Sequence, residues 1–311
     1  MSSAIEVSDL PVFHDGEVAM HRKLGVEDRQ DALGRRMIRT YMPDQHRYFF
    51  ASLQMVHLGA IDSTGHPWAV VRTGTSGFIK TPDPYRFVLT STPLLGEPSD
   101  LQFGVGKKVS VVGLEFATRR RNRLNATVEH SNGKQLTFKV DQSYGNCPKY
   151  IQVKDIQKSS LPQEYDIRAS SKLNNETIDI IRKADTFFIA SRAAHLGQDP
   201  RAGVDINHRG GAPGFVSIKQ DGSLFFPDYK GNNFYNTFGN IGQDDRVGLQ
   251  FVDFTTGTTV NIKGRAKIKE VHAERRPLMG RGVSVQVDAV IHAKGAVPFR
   301  SKQTDVSPLN P

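Results

Sequence analysis

Apolar residues in this chain fall in short runs broken by Gly, Pro, Asp or Asn, and few of them recur at helical spacing. In the first half the strand-like runs are 55–61, 68–72, 77–80, 87–90, 108–116, 124–130 and 136–140. In the second half they are 185–191, 202–208, 214–227, 246–254, 258–272 and 282–293. Turn chemistry separates them, as at Gln220-Asp221-Gly222-Ser223 and Thr255-Thr256-Gly257. Helical patterning is sparse. Pro43-Asp44-Gln45 opens a predicted helix through Leu53, 175–183 places Ile178 and Ile181 on one face, and 232–241 reads as a short helix. The polar segment 1–40 carries helical patches such as Gln30–Arg39. Many short strands with few helices predict a mainly β protein built on antiparallel barrels.

The plan occurs twice. Arg72-Thr-Gly-Thr-Ser-Gly-Phe-Ile79 and Arg209-Gly-Gly-Ala-Pro-Gly-Phe-Val216 align without gaps at an offset of 137, and Asp62 meets Asp199 at the same offset. Gly113-Leu-Glu-Phe116 resembles Gly248-Leu-Gln-Phe251 further on, and Ala126 and Ala266 are expected at equivalent places. Glycine-rich hairpins can look alike because their turns demand positive φ, but several matches in one order point to a duplicated domain. The halves are expected at 1–160, with a helical N-terminal extension, and 161–311; the junction lies in the polar stretch 150–175.

Length and composition agree with two such domains: 311 residues, 38% hydrophobic. No apolar run is long enough to span a bilayer, and the N-terminus lacks a basic start followed by an apolar stretch, so neither a membrane nor a secretory route is expected. One cysteine, Cys147, excludes an intramolecular disulfide and suits a reducing, cytoplasmic setting. Net charge is +9, densest at Arg119-Arg120-Arg121 with Arg123 and at Arg35-Arg36 with Arg39. Such clusters read either as a solvated basic face or as partners of a phosphate-bearing ligand. Aromatics are not interleaved with the arginines, so nucleic acid is not an expected partner. The ten histidines have no ligand spacing, so no metal is expected. No nucleophile triad, P-loop or dinucleotide fingerprint is present, and no catalytic residue can be assigned.

The stretch "VDINHRGGAPGFV…LFFPDYKGNNFYNTFGNI…DDRVGLQFVDF…VNIKGRAKI" resembles the pyridoxamine 5′-phosphate oxidase-like FMN-binding split-barrel superfamily, nearest to its flavin-nucleotide-binding branch. The resemblance is strongest over 180–272 and extends through the repeat to 45–140; "GNCPKYI" (145–151) is similar to a stretch of the same branch. It implies two tandem six-stranded split barrels, an FMN cofactor, and either a homodimer or a pseudo-dimer within the chain. Typical oxidases of the family carry an Arg on the second strand and a Lys five residues later. Those places hold Gly203 and His208, and the family's basic pair falls at Asn232-Asn233 after Lys230. The resemblance therefore implies a flavoprotein oxidoreductase with an altered phosphate signature, acting on a small-molecule substrate or electron donor such as NAD(P)H. A flavin carrier and a haem-binding barrel stand as alternatives.

The candidate ligand set follows. A phosphate needs cations or several N–H donors on a rigid element. Lys230, Gly231, Asn232, Asn233 and Asn236 supply these at the start of a predicted helix, though the same residues could form a plain capped turn. His208-Arg209 ends a strand beside a Gly-rich turn, within reach of a ligand. Asp205, alternating with Ile206, needs a donor from a ligand or from an arginine. Arg72 is the first-repeat counterpart of Arg209 and a candidate clamp. The first repeat lacks a Lys-Gly-Asn-Asn equivalent, so one phosphate site per chain is expected. Cys147 reads as a packed thiol or as a redox-active one beside Lys149.

Overall fold

The strands at 55–61, 67–73, 108–115 and 186–192 are buried on both faces, which is why simple alternation is faint there. The computed structural model describes residues 12–145, 147–159, 164–197, 199–270 and 278–310. Three helices open the chain: α1 (Asp15–Lys23), α2 (Glu27–Met37) and α3 (Asp44–Ser52). The first sheet follows as β1 (Met55–Ile61), β2 (Pro67–Thr73), β3 (Ile79–Asp83), β4 (Arg86–Thr90), β5 (Lys108–Glu115), β6 (Arg120–Ser131) and β7 (Gln135–Gly145). The junction contributes β8 (Val153–Lys158) and β9 (Asp166–Ser170); residues 160–163 between them lie outside the described residues. Then come α4 (Asn175–Lys183), β10 (Thr186–Arg192), β11 (Val204–Gly210), β12 (Ser217–Ile218), β13 (Leu224–Tyr229) and α5 (Asn236–Gln243). The chain closes with β14 (Arg246–Asp253), β15 (Thr258–Glu270), β16 (Leu278–Lys294) and β17 (Phe299–Asp305).

The two sheets have the same strand order. The first runs β2-β1-β5-β6-β7-β4-β3 and the second β11-β10-β14-β15-β16-β13-β12. Each curls around its own core. Trp68 and Val70 from one end of the first path share a cluster with Ile79 from the other end, a contact that a flat sheet cannot make. Phe187, Phe226, Leu249, Ile262 and Val283 form the second core. The architecture is thus a pair of tandem split barrels, each with seven strands along its path rather than the six expected, the last being the five-residue β3 in the first and the two-residue β12 in the second.

The matched glycine turns occupy equivalent places. Gly77 (φ 84°) and Gly214 (φ 88°) both need the left-handed region. Strand register corrects two of the other matches. Val56 pairs with Gly113 where Phe187 pairs with Phe251, so Gly113 corresponds to Phe251 and not to Gly248. A β-bulge falls between Asn125 and Ala126 in one barrel and between Lys263 and Gly264 in the other, so Ala126 corresponds to Gly264 and not to Ala266. The residue passed over on the partner strand is an aspartate in both, Asp141 and Asp288.

The barrels pack through the outer faces of β1, β2 and β5 against β10, β11 and β14, with Ala69, Val71, Val112, Phe188, Ala190 and Ile206 buried between them. His57 and Phe188 hold equivalent positions and stack on each other, ring centroids 3.4 Å apart and planes within 13°. The halves therefore meet about a local pseudo-twofold axis. Gly248 allows the closest approach: a Cβ there would stand 2.5 Å from the Pro67 carbonyl oxygen.

Two features cross the halves. Helix α1 of the N-terminal extension lies on α5 of the second barrel, where Gly16 and Gly239 bring the helices into backbone contact. Strand β8 pairs with β17 near the chain's end.

Candidate functional site

Strand β11 lies at the edge of its sheet, and the cavity opens at its C-terminal end. Two segments cover this end. One is the connection from β13 into α5, the other is residues 147–152, which leave β7 and cross from the first half. Gly210 makes the crossing possible, because a Cβ there would lie 2.0 Å from the Tyr150 carbonyl oxygen. The enclosed volume is about 110 Å³ and its wall includes Arg121, Cys147, Lys149, Tyr150, Asn207, His208, Arg209, Tyr229, Gly231, Asn232, Asn233 and Phe238. Water occupies about 30 Å³ in the liquid, so this space holds a few waters or one compact headgroup.

Backbone strain gathers at this wall. Among the described non-glycine residues with positive φ, Tyr150 (63°), Asn233 (61°) and Tyr235 (56°) all line the cavity. Such conformations cost roughly 1–3 kcal/mol each and tend to cluster at ligand sites. Tyr235 is the N-cap of α5 and provides no side-chain cap, so the positive end of that helix faces the space bare.

The electrostatics favour an anion. Arg121 donates from Nη1 to His208 Nδ1 at 3.0 Å and from Nη2 to the Cys147 carbonyl at 2.7 Å, while its Nε has no partner among the described residues. Burial pulls its guanidinium down to about 10, and the nearby charges of Arg209 and Arg123 act in the same direction. Arg209 lies over the Phe238 ring at 5.7 Å, and its Nε is also unpartnered. Asp228 acts on Arg209 electrostatically but is ion-paired to Arg281 at 2.9 Å. Burial also lowers His208 well below the ordinary histidine range, with Arg121 adding to the effect, so the ring is neutral. An arginine can only donate, so His208 Nδ1 accepts and the ring proton sits on Nε2. That Nε2 is buried and unpartnered, a donor awaiting an acceptor.

The structure brings together His208, Arg209, Gly231, Asn232, Asn233 and Asn236 on one wall. Asn232 spends its Oδ1 on the Phe234 N–H, and Asn233 accepts from the Tyr235 hydroxyl, which leaves both amide NH₂ groups free of protein partners among the described residues. Three expected residues are placed elsewhere. Lys230 is exposed and outside the cavity wall, and it contributes a carbonyl that accepts from Tyr150 at 3.0 Å. Arg72 is in the first barrel, ion-paired to Glu97. Asp205 is outside the cavity wall, in a buried network where it accepts from Arg123, from Asn125 at 2.8 Å and from Asn240 at 2.6 Å. Asn236 lines the cavity, yet its amide is committed to Glu17 of α1.

That network lies directly behind the site. Ligand atoms of His14, Glu17 and Asp205 fall within 4.8 Å of one another, and the fully buried Arg123 provides the positive charge among them. Arg123 also donates to Asn207 Oδ1 at 2.7 Å, and Asn207 donates in turn to Thr237 of α5 at 2.9 Å. It thereby ties β6, β11 and α5 into one frame.

The arginine cluster is only partly a solvated face: Arg120 is exposed, whereas Arg121 and Arg123 are turned inward. Arg119 pairs with Asp305, Arg120 lies over Phe49, Arg121 enters the cavity and Arg123 is buried in the network. Lys149 and Tyr150 also belong to the cavity wall; in the sequence they were marked by the family-like stretch 145–151 and by the place of Lys149 beside Cys147.

No protein-family model and no curated protein matches the chain. Among solved structures, a candidate pyridoxamine 5′-phosphate oxidase from Lactobacillus delbrueckii is 15% identical, covering 39% of this chain and 94% of its own, with a TM-score of 0.30. The haem storage protein HutZ from Vibrio cholerae is 12% identical, covering 40% and 97%, with a TM-score of 0.29. An FAD-binding protein from Mycobacterium smegmatis is 16% identical, covering 39% and 97%, with a TM-score of 0.25. The split-barrel assignment rests on the strand order of the two halves, not on superpositions at these scores. No helix among the described residues is long and apolar enough to cross a membrane.

Proposed function

We propose that the chain is a flavoprotein that holds flavin mononucleotide with its phosphate in the cavity at the end of β11, and that it works as an oxidoreductase. One observation carries this reading: among the described residues, Arg121 and Arg209 converge on this space without a salt bridge of their own, beside a buried His208 donor. Unpaired buried cations are costly, and a phosphate with several acceptor oxygens relieves both of them together with His208 and the Asn232 and Asn233 amides. The enclosed volume suits the phosphate. A flavin ring exceeds it and would extend into the open part of the cleft, where Tyr150 and Tyr229 offer aromatic surface. Bound flavin would supply the hydride or electron transfer. The chain's own residues orient it: Arg121 holds His208 in the tautomer that donates, and Asn207 anchors α5 across the cavity.

The same tautomer argues against haem ligation at this place. His208 is the histidine of the cavity wall among the described residues, and with Nδ1 accepting from Arg121 its Nε2 has no lone pair for iron. Purified protein should carry the yellow absorbance of a flavin and no Soret band, and mass spectrometry of the released cofactor should identify FMN. Reduction by NADH or NADPH with turnover on an acceptor separates an enzyme from a carrier. Protein that neither retains nor takes up FMN sinks the proposal.

A further inference from the structure

We infer that an oxyanion in this cavity takes on Arg209 the place that the Glu97 carboxylate takes on Arg72, so that each chain binds one such anion and closes its second, equivalent cleft with its own side chain. The inference rests on the phosphate reading above and narrows it to a position and a stoichiometry.

Arg72 and Arg209 are equivalent by register: Arg72 pairs with Val56 of β1 where Arg209 pairs with Phe187 of β10. Each guanidinium lies over a phenylalanine from the connection that leads into the next long strand. Phe103 is 5.6 Å from Arg72 and Phe238 is 5.7 Å from Arg209. These connections are residues 91–107, between β4 and β5, and residues 230–245, between β13 and β14. The first also delivers Glu97, whose side chain is 4% exposed and forms an ion pair with Arg72 at 3% exposure.

The backbone beside Glu97 is anchored. Asn261 of β15 donates to the Gly96 carbonyl at 3.1 Å, and Gly96 packs so closely on Ala293 that a Cβ would stand 2.6 Å from the alanine methyl. In the second connection Asn232 and Asn233 reach the corresponding space in place of a glutamate, and the nearest acting carboxylate, Asp228, belongs to Arg281. One cleft therefore contains arginine, phenylalanine and a carboxylate. The other contains arginine, phenylalanine, amide donors and a cavity. The missing member is an oxyanion able to present oxygens to a guanidinium, which is the chemistry of a phosphate or carboxylate group.

The test is equilibrium dialysis of the full chain with radiolabelled inorganic phosphate and, separately, with FMN. The expected wild-type result is one phosphate per chain, displaced by FMN. Arg209→Met should weaken that site by about tenfold or more. Arg72→Met combined with Glu97→Met removes the internal pair without stranding a charge, and should leave one site of unchanged affinity. Glu97→Ala vacates the space on Arg72 and should raise the count to two. Absence of phosphate binding, two phosphates on the wild type, a site that survives Arg209→Met, or a folded Glu97→Ala protein still binding one would each overturn the inference. If Glu97→Ala does not fold, the Arg209 variant and the double variant decide the matter. One phosphate per chain that FMN fails to displace would uphold the anion site while removing the flavin reading.

Discussion

Replacing Asp205 by leucine separates a structural carboxylate from a ligand-binding one. In the folded protein its two oxygens accept from Arg123, Asn125 and Asn240, and Arg123 is fully buried. Leucine removes the counter-charge while the guanidinium stays enclosed. The remaining acceptors are neutral: Asn207 at 2.7 Å, and Asn125 and Asn236 at 3.4 Å each. Breaking a buried pair from one side costs about 3–5 kcal/mol, a large part of a typical stability of about 5–15 kcal/mol. Urea unfolding followed by circular dichroism should show a midpoint shift of that size with little change in slope. Adding Arg123→Met should recover most of the loss, because replacing both members of a buried pair with apolar groups is often close to neutral. Phosphate or FMN affinity, measured where the single variant is still folded, should change far less than it does in Arg121→Met. A variant of nearly wild-type stability that has lost the ligand would refute the reasoning and return Asp205 to the binding wall.

Other expectations concern separate parts of the molecule. Arg121→Met should weaken FMN retention by about tenfold, since it removes a charged donor and frees the His208 tautomer, while Lys230→Ala should leave retention unchanged; fluorescence titration with FMN distinguishes the two. Gly248→Ala puts a methyl against the backbone of Pro67 and Trp68, and should cost about 1–3 kcal/mol as the barrels are forced apart, which thermal unfolding would register. Acid should destabilise the fold. Burial holds His14, His46 and His57 at about 4, 4 and 3 and His208 lower still than an ordinary histidine, so below pH 6.5 unfolding lets these four take up protons. Glu17 and Glu97, raised by burial to about 7, act in the opposite sense between pH 4.5 and 7, because the folded chain keeps their protons. His21, His66 and His292 are lowered in the same direction and Asp228 is raised with the glutamates, so the histidines outnumber the carboxyls and stability should fall from pH 6 to pH 5. Stability that stays level or rises over that interval in urea titrations would contradict the balance.

Local chemistry was readable in the chain, and contact across the halves was not. The two glycine turns announced themselves because Gly77 and Gly214 need positive φ and because Gly74 and Gly211 make room for Phe78 and Phe215. His208, Arg209 and the Asn232-Asn233 turn were legible for the same kind of reason, as polar residues at a strand end and a helix start. Arg121 stood in a cluster that read either as a solvated face or as a phosphate partner; its contact with His208 spans 87 positions and depends on how two barrels dock. Lys230 misled because charge alone suggested a phosphate partner, whereas the exposed side chain leaves only its carbonyl in use. Asp205 was correctly read as pointing inward and in need of a donor, but that donor, Arg123, comes from the other half.

The intrachain arrangement of two barrels has a consequence that a homodimer lacks. In a symmetric dimer each cleft contains the same residues, so a closing carboxylate would stand in both clefts or in neither. Here the two clefts come from different sequence. One keeps Arg72 with Glu97 and spends its connection on packing against Ala293, which adds to the contact between the barrels. The other keeps Arg209 open, leaves three non-glycine residues at positive φ on its wall, and relies on α1 and the Arg123 network to hold α5 in place. Positive φ and a guanidinium without a carboxylate thus concentrate on one side, while on the pseudo-equivalent side Arg72 is ion-paired to Glu97. If the strained side is the ligand site, a bound anion should raise the melting temperature, since a ligand that binds only the folded chain stabilises it by mass action. The rise should vanish in Arg209→Met and persist in the Arg72→Met/Glu97→Met variant. Equal rises in both variants would mean that the anion acts at neither arginine.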